Sequence, residues 1–249
     1  MDQSKFNEDE IPYNILANFG LTQEMIEDLP ESTYKKMKRG LPTPVLPIRV
    51  KAENGDTVAS RSKFALVRKS DGAVGVIFYP RLATTDLSRF TDQQQAALKS
   101  GESIVADFKS DEGSSTPTYF QIDPDTNQVM SVPVAVLAAN IQLLAEHMKL
   151  SKSEAVCINN GKPLTIMNGN KPFTMGVDLT TGNGIKAVEG DETDFRNSVK
   201  RDWGQYNFGL NGCWTMDGEG NIDYVPEDEY TEEMWSEMKR RGNQHLMKL

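Results

Sequence analysis

The chain has little of what catalytic and metal sites are built from. Among 249 residues there are two histidines, His147 and His245, and two cysteines, Cys157 and Cys213. Cysteines so far apart, with no partner spacing, exclude a disulfide framework and a cysteine-rich zinc module, and they fit a reducing compartment. A metal or acid–base site needs several ligands, or a positioned base, to converge. His147 falls on an apolar helical stretch and His245 near the end of the chain, and nothing in the sequence brings them together. Cys157, close to the end of a short amphipathic helix, reads as a packing residue rather than a nucleophile. There is no Walker-type phosphate loop, no G-x-S-x-G and no H-E-x-x-H. Long apolar runs are also missing. The most apolar stretch, 132–144, is interrupted by Asn140 and Gln142 and is too short to span a bilayer. Residues 1–10 are polar and acidic and hold no apolar signal-peptide core. These absences predict a non-enzymatic, cytoplasmic protein with no cofactor, no bound metal and no membrane segment.

Two acidic stretches imitate calcium loops and fail. Asp217, Glu219, Asn221 and Asp223 offer oxygen at alternate positions, with Asp228 at the twelfth, but Ile222 stands where the EF-hand turn needs glycine. The run Asp123-Pro124-Asp125-Thr126-Asn127 puts Val134 at its twelfth position. Both read as turn chemistry.

What the chain does have is ordinary globular composition, 38% hydrophobic and 25% charged, with a net charge of −9. The charge is uneven. Residues 1–30 carry seven acids and one base, and residues 187–249 carry fourteen acids and seven bases. Residues 31–186 carry fifteen acids and nineteen bases. An acidic total disfavours non-specific nucleic-acid binding by the whole surface but leaves room for a local basic patch.

The chain also repeats itself. Phe90-Thr91-Asp92-Gln93-Gln94 and Leu150-Ser151-Lys152-Ser153-Glu154 are sixty residues apart, and each opens a short helix with a capping box. Each helix meets a glycine, Gly101 or Gly161, where a left-handed residue belongs. Strand patterns follow, and Ile122-Asp123 aligns with Val177-Asp178 at an offset of fifty-five. The surplus of the first copy falls in the polar loop 109–116, where insertion is tolerated. Residues 90–132 and 150–188 are therefore expected to be one motif twice, joined around a central core helix over 133–149 with Leu137, Ile141, Leu144 and Met148 at helical spacing.

Ahead of the repeats, residues 1–10 are expected to be disordered. Short helices carry Leu16 and Phe19, then Met25, Ile26 and Leu29, and a third ends at Gly40. Over 46–79 the pattern predicts three strands with hairpin turns at Asn54-Gly55 and Asp71-Gly72. Residues 11–89 thus form helices and a meander, 90–188 the repeats, and 189–249 an acidic region. That region holds an acidic loop at 189–194, a short helix over 195–203, a hairpin and a final helix opening at Thr231. The fold class is α+β.

The sharpest functional feature is basic. Period two puts Arg49 and Lys51 on one face of a strand, and Arg61, Lys63 and Lys69 on one face of the next. The plain reading is the solvated face of an antiparallel sheet. Five bases with no acid beside them exceed what solvation requires, so the face is a candidate nucleic-acid contact. No aromatic residue interleaves, which speaks against a base-stacking platform. Lys35, Lys36, Lys38 and Arg39 are the alternative basic cluster.

Ile11-Pro12-Tyr13-Asn14-Ile15-Leu16, Phe19-Gly20-Leu21-Thr22 and Gly40 to Pro44 before a basic strand resemble the opening of the uncharacterised domain family 4099. The unit Leu150 to Val188, with Asn160-Gly161-Lys162 and Lys171-Pro172-Phe173, resembles a second uncharacterised family, 3945. Such domains occur together in proteins encoded on conjugative transposons of Bacteroidota. The resemblance implies an accessory or adaptor protein of a mobile element, with nucleic acid or another protein as partner, and it brings no catalytic residues. The acidic termini motivate the alternative, a DNA-mimic-like inhibitor that occupies a partner's nucleic-acid site.

Overall fold

The computed structural model describes residues 4–109, 115–198 and 203–246. Among these, eight α-helices and four antiparallel three-stranded sheets make an α+β fold. The chain divides into two compact units. One joins the described parts of 1–81 and 201–249, and the other spans 82–200. No helix among the described residues is long and apolar enough to cross a membrane.

The first unit opens with three short helices, α1 (Tyr13–Ala17), α2 (Gln23–Glu27) and α3 (Glu31–Lys38). Gly20 and Gly40 end turns at positive φ, and the Thr22 hydroxyl caps α2 by accepting the Met25 amide at 3.3 Å. Helices this short are unstable alone. Burial of Leu16, Leu21, Ile26 and Met37, none of which is exposed, holds them in place. They pack with Leu46, Ile48, Phe64 and Leu66 of the meander β1 (Leu46–Lys51), β2 (Thr57–Arg68) and β3 (Val74–Pro80). Residues 4–10 are not the disordered tail that the polar sequence predicts. The amides of Lys5 and Phe6 both donate to the Lys38 carbonyl, at 2.9 and 3.0 Å. Phe6 is buried in the core, and one aromatic side chain outweighs the charge around it.

The second unit contains the predicted repeat. Its first copy runs α4 (Asp92–Lys99), β4 (Ile104–Lys109), β5 (Ser115–Ile122) and β6 (Val129–Pro133), followed by α5 (Val134–Met148). The second runs α6 (Lys152–Asn159), β7 (Leu164–Asn168), β8 (Lys171–Val177) and β9 (Ile185–Glu189), followed by α7 (Glu192–Asn197). Each sheet has its strands in sequence order and antiparallel. Both helix starts are reciprocal capping boxes, Thr91 with Gln94 and Ser151 with Glu154. Both ends are alike too. The Gly101 and Gly161 amides reach Leu98 and Ile158, and the next amides, of Glu102 and Lys162, reach Ala97 and Cys157. Register is kept, with Ile104 opposite Phe120 and Leu164 opposite Met175. Buried Asp123 and Asp178 organise the same turn, each accepting an amide two residues on at 3.0 Å.

The helix after each sheet belongs to the repeat, which the sequence did not disclose. α5 is the central core helix that its apolar spacing predicts. With Leu137 and Ile141 it covers Tyr119 on the outer face of the first sheet, in a cluster that also takes in Ile158, Met175 and Val177. α7 holds the same place on the second sheet, where the Phe195 ring lies against Gly176. It begins inside the expected acidic loop because Asp191 caps it, accepting the amides of Thr193 and Asp194 at 2.8 and 3.1 Å. The short helix expected over 195–203 therefore starts and stops earlier, and 199–202 lie outside the described residues. The two copies meet through backbone groups of the second. The Tyr119 hydroxyl donates to the Asn159 carbonyl at 2.9 Å, and the Ser103 hydroxyl to the Gly161 carbonyl at 2.8 Å. The Gln121 side-chain oxygen accepts the Leu179 amide at 2.7 Å.

The chain then returns to the first unit with β10 (Tyr206–Phe208), β11 (Gly212–Met216), β12 (Ile222–Pro226) and α8 (Glu232–Leu246). β10, of three residues, is too short to leave a sequence pattern. Trp203, Trp214 and Ile222 complete the same core as Leu16 and Phe64. Polar contacts of three side chains, Asp28, Trp214 and Trp203, fix this return. The buried Asp28 carboxylate accepts the amides of Leu210 and Asn211 at 2.7 and 3.0 Å and the Tyr224 hydroxyl at 2.6 Å. The Trp214 indole donates to the Met25 carbonyl at 2.9 Å, and the Trp203 indole to the Thr33 hydroxyl at 2.9 Å.

Two expectations for stability follow. Gly101→Ala and Gly161→Ala impose the same positive-φ strain, since φ is 83° and 78°. A Cβ at 161 also meets the Ser103 carbonyl oxygen at 2.9 Å, whereas one at 101 meets nothing within 4 Å. Urea unfolding should show Gly161→Ala the less stable by about 1–3 kcal/mol; equal midpoints would mean the copies do not dock as described. Asp28→Ala leaves two amides and a phenol without their acceptor, and should cost about 2–4 kcal/mol in the same assay, against less than about 1 kcal/mol for a surface control such as Glu24→Ala.

Candidate nucleic-acid interface

Strand register decides which side chains share a face, and in the meander it is unambiguous. β1 and β2 pair with Pro47 opposite Arg61, Arg49 opposite Ala59 and Lys51 opposite Thr57. β2 and β3 pair with Lys63 opposite Tyr79, Ala65 opposite Ile77 and Val67 opposite Gly75. Residues that face each other across a ladder point to the same side, so Arg49, Lys51, Arg61 and Lys63 lie on one face. Phe64 and Leu66 lie on the other, in the core. Arg49 and Lys51 are exposed, while Arg61 and Lys63 are half-buried. The Arg49 amide donates to the Phe19 carbonyl at 2.8 Å, which ties the outer strand to the end of α1. Lys69 sits past the end of β2, where its amide donates to Ala73 at 2.8 Å in the hairpin. Its side chain crosses Gly75, in space that a Cβ there would fill.

Two features of this face differ from the sequence reading. It has an aromatic residue, Tyr79, directly opposite Lys63, with Ile77 exposed two residues away. It also has an acid close by. The Arg61 guanidinium donates to the Asp223 carboxylate at 2.9 Å and to the Ile222 carbonyl at 2.8 Å. Arg81 similarly donates to the Asn221 side chain at 3.1 Å. No local pattern reveals this acid, because it lies 162 residues away in sequence. Arg61 is thus spent on holding β12, and Arg49 and Lys51 are the exposed charges of the group.

The alternative cluster on α3 is more engaged. Lys35 pairs with Glu31 at 2.5 Å, and Lys38 lies 3.8 Å from Glu8 and over the Tyr34 ring. Arg68, of the opposite parity, pairs with Glu10 at 2.9 Å and stacks on Phe6.

Residues 6–89 match the model of a family described as "Protein of unknown function (DUF4099)". The N-terminal part of the chain resembles that family, as its Ile11-to-Thr22 motif predicts. No curated protein and no solved structure matches the chain. Arg49, Lys51, Arg61, Lys63, Lys69 and Tyr79 all fall inside the matched residues 6–89, and Asp223 falls outside them. That segment does not close its own core, since Trp203, Trp214 and Ile222 come from the other end of the chain.

The remaining candidates have structural employment. The Asp217 carboxylate accepts the Glu219 and Asn221 amides at 2.9 and 2.8 Å, so the imitation calcium loop spends its first ligand on its own turn. Asp123 takes the Thr126 hydroxyl at 2.9 Å. Burial pushes the Cys213 thiol up to about 11, away from the thiolate a nucleophile needs. Burial, and then the bond to Asp28, hold the Tyr224 phenol above its usual value. Cys157 is half-buried and His147 exposed on α5, while the His245 side chain lies outside the described residues. Among the described residues no three His, Cys, Asp or Glu side chains gather as metal ligands.

The different duties of Arg61 and Arg49 are separable by mutation. Arg61→Ala should lower stability by about 1 kcal/mol through loss of the Asp223 and Ile222 contacts, and Arg49→Ala by less than about 0.5 kcal/mol. Chemical denaturation reads both, and the reverse order would contradict the assignment.

Proposed function

We propose that this protein is a non-enzymatic accessory protein of a mobile genetic element that binds nucleic acid through the outer face of its meander. The observation that carries the reading is the register that sets Arg49, Lys51, Lys63 and Tyr79 on one side of the sheet. Cations at strand spacing meet successive phosphates and release their counterions. Tyr79, on the third strand beside Lys63, gives a base a ring to stack on. The likeness of the N-terminal part to DUF4099 is consistent with this setting, as is the twofold helix–glycine–sheet pattern that resembles family 3945.

One observation favours the second reading, an acidic inhibitor that occupies a partner's nucleic-acid site. Glu227, Asp228, Glu229, Glu232 and Glu233 are all exposed around the start of α8, with no base among them in sequence.

The two readings separate in one titration. Labelled single- and double-stranded DNA and RNA are titrated with wild type and with the double reversal Arg49→Glu/Lys51→Glu, from low to moderate salt. Arg61 is left in place because it supports the fold. The meander reading expects wild type to bind at low salt, and the double variant to bind at least about tenfold more weakly with a salt slope shallower by about two. Absence of binding by wild type at low salt would overturn it and shift support to the inhibitor reading. Binding unaffected by the reversal would place the contact elsewhere.

A further inference from the structure

The two copies of the repeat close their sheets unequally. The outer face of the first sheet lies under α5, fifteen residues and about 22 Å long. The outer face of the second lies under α7, six residues and about 9 Å long. Register puts Thr165, Thr174 and Val188 on that second face, together with Met167, Gly176 and Lys186. α7 covers the Gly176 end, where the Phe195 ring packs and Lys186 lies 4.9 Å above it. The β7 end stays open, with Thr165 exposed and Met167 65% exposed. The residue equivalent to Met167 in the first copy, sixty positions earlier, is Asp107, the kind of side chain a solvated strand carries. The second sheet has an adaptable apolar side chain there instead.

The helix that does this work on the first sheet has a second apolar stripe. α5 buries Leu137 and Ile141. Val136, Ala139 and Leu143, spaced i, i+3 and i+7, form another line along it. Val136 is 62% exposed and Leu143 64% exposed. A helix apolar on more than one side is normally covered on more than one side. The chain thus holds a sheet face short of helix and a helix face short of sheet, and it already makes that kind of contact once, between α5 and the first sheet.

We propose that the protein self-associates by packing the Val136–Leu143 stripe of α5 from one copy beside α7 on the open face of the β7–β9 sheet of another. The occupant is a second copy of this chain. The surfaces are unlike, so two reciprocal contacts close a dimer and single contacts build chains.

The test uses the full chain in sedimentation velocity from 1 to 100 μM, with circular dichroism to verify folding. Wild type should show a mass that rises with concentration above the 27.8 kDa of one chain. Leu143→Glu and Met167→Glu should each abolish the rise. Val156→Glu, on α6 and of comparable exposure at 53%, should leave it unchanged. The decisive arm mixes the two disrupted variants. Met167→Glu keeps an intact helix stripe and Leu143→Glu an intact sheet face, so the mixture should form a one-to-one complex that neither forms alone. A wild type monomeric at 100 μM, an association lost with Val156→Glu, or a mixture that stays monomeric would each overturn the proposal.

Discussion

One buried carboxylate carries the first unit. Asp28 ends α2, where a negative charge meets the negative end of the helix dipole. It is also taken out of water, which costs far more. Its close donors, the amides of Leu210 and Asn211 and the Tyr224 hydroxyl, offset both terms. They come from the far end of the sequence, so the N-terminal helices cannot satisfy Asp28 without the C-terminal sheet. Gly209 follows from the same contact, since a Cβ there would stand 2.2 Å from the carboxylate carbon. Trp214 and Trp203 then bring their rings into the core that Leu16 and Phe64 begin.

The acidic and basic stretches counted along the sequence are not regions of the molecule. The acidic C-terminal stretch is divided between the units. Asp191 and Asp194 cap α7 in the second, whereas Asp223 returns to the first and meets Arg61 of the meander. A basic strand in a chain of net charge −9 is therefore partly balanced by its own tail, and only part of its charge remains for a partner.

Legibility followed sequence distance. Capping boxes, glycine ends and hairpin turns lie within a few residues of their partners, so the repeat, the meander and the α+β class could be read directly. The hairpin between β7 and β8 shows the limit of even local reading. The dipeptide Asn168-Gly169 is of the kind that fills a two-residue hairpin loop, but Asn168 pairs with Lys171 and the loop is Gly169-Asn170, with Gly169 at a φ of 63°. Asp223 beside Arg61, Phe6 beneath α3, and the role of α5 and α7 as lids all depend on contacts between distant residues, and no local pattern encodes them. Tyr79 is a different case. Its place opposite Lys63 follows from a two-residue period and a hairpin turn, both visible in the sequence, once the third strand is set in register with the second.

The path of the chain through the two units also orders events during synthesis. The second unit is a continuous segment, so all of its helices and strands are present once that segment has been made. The first is divided, because Trp203, Trp214 and the donors to Asp28 follow that whole segment. At 5–20 residues per second, its helices and meander wait roughly ten seconds with Leu16, Leu21, Ile26 and Phe64 uncovered on one side. Over that interval a part of the protein made before the second unit stays open, and it becomes stable only after that unit has been made.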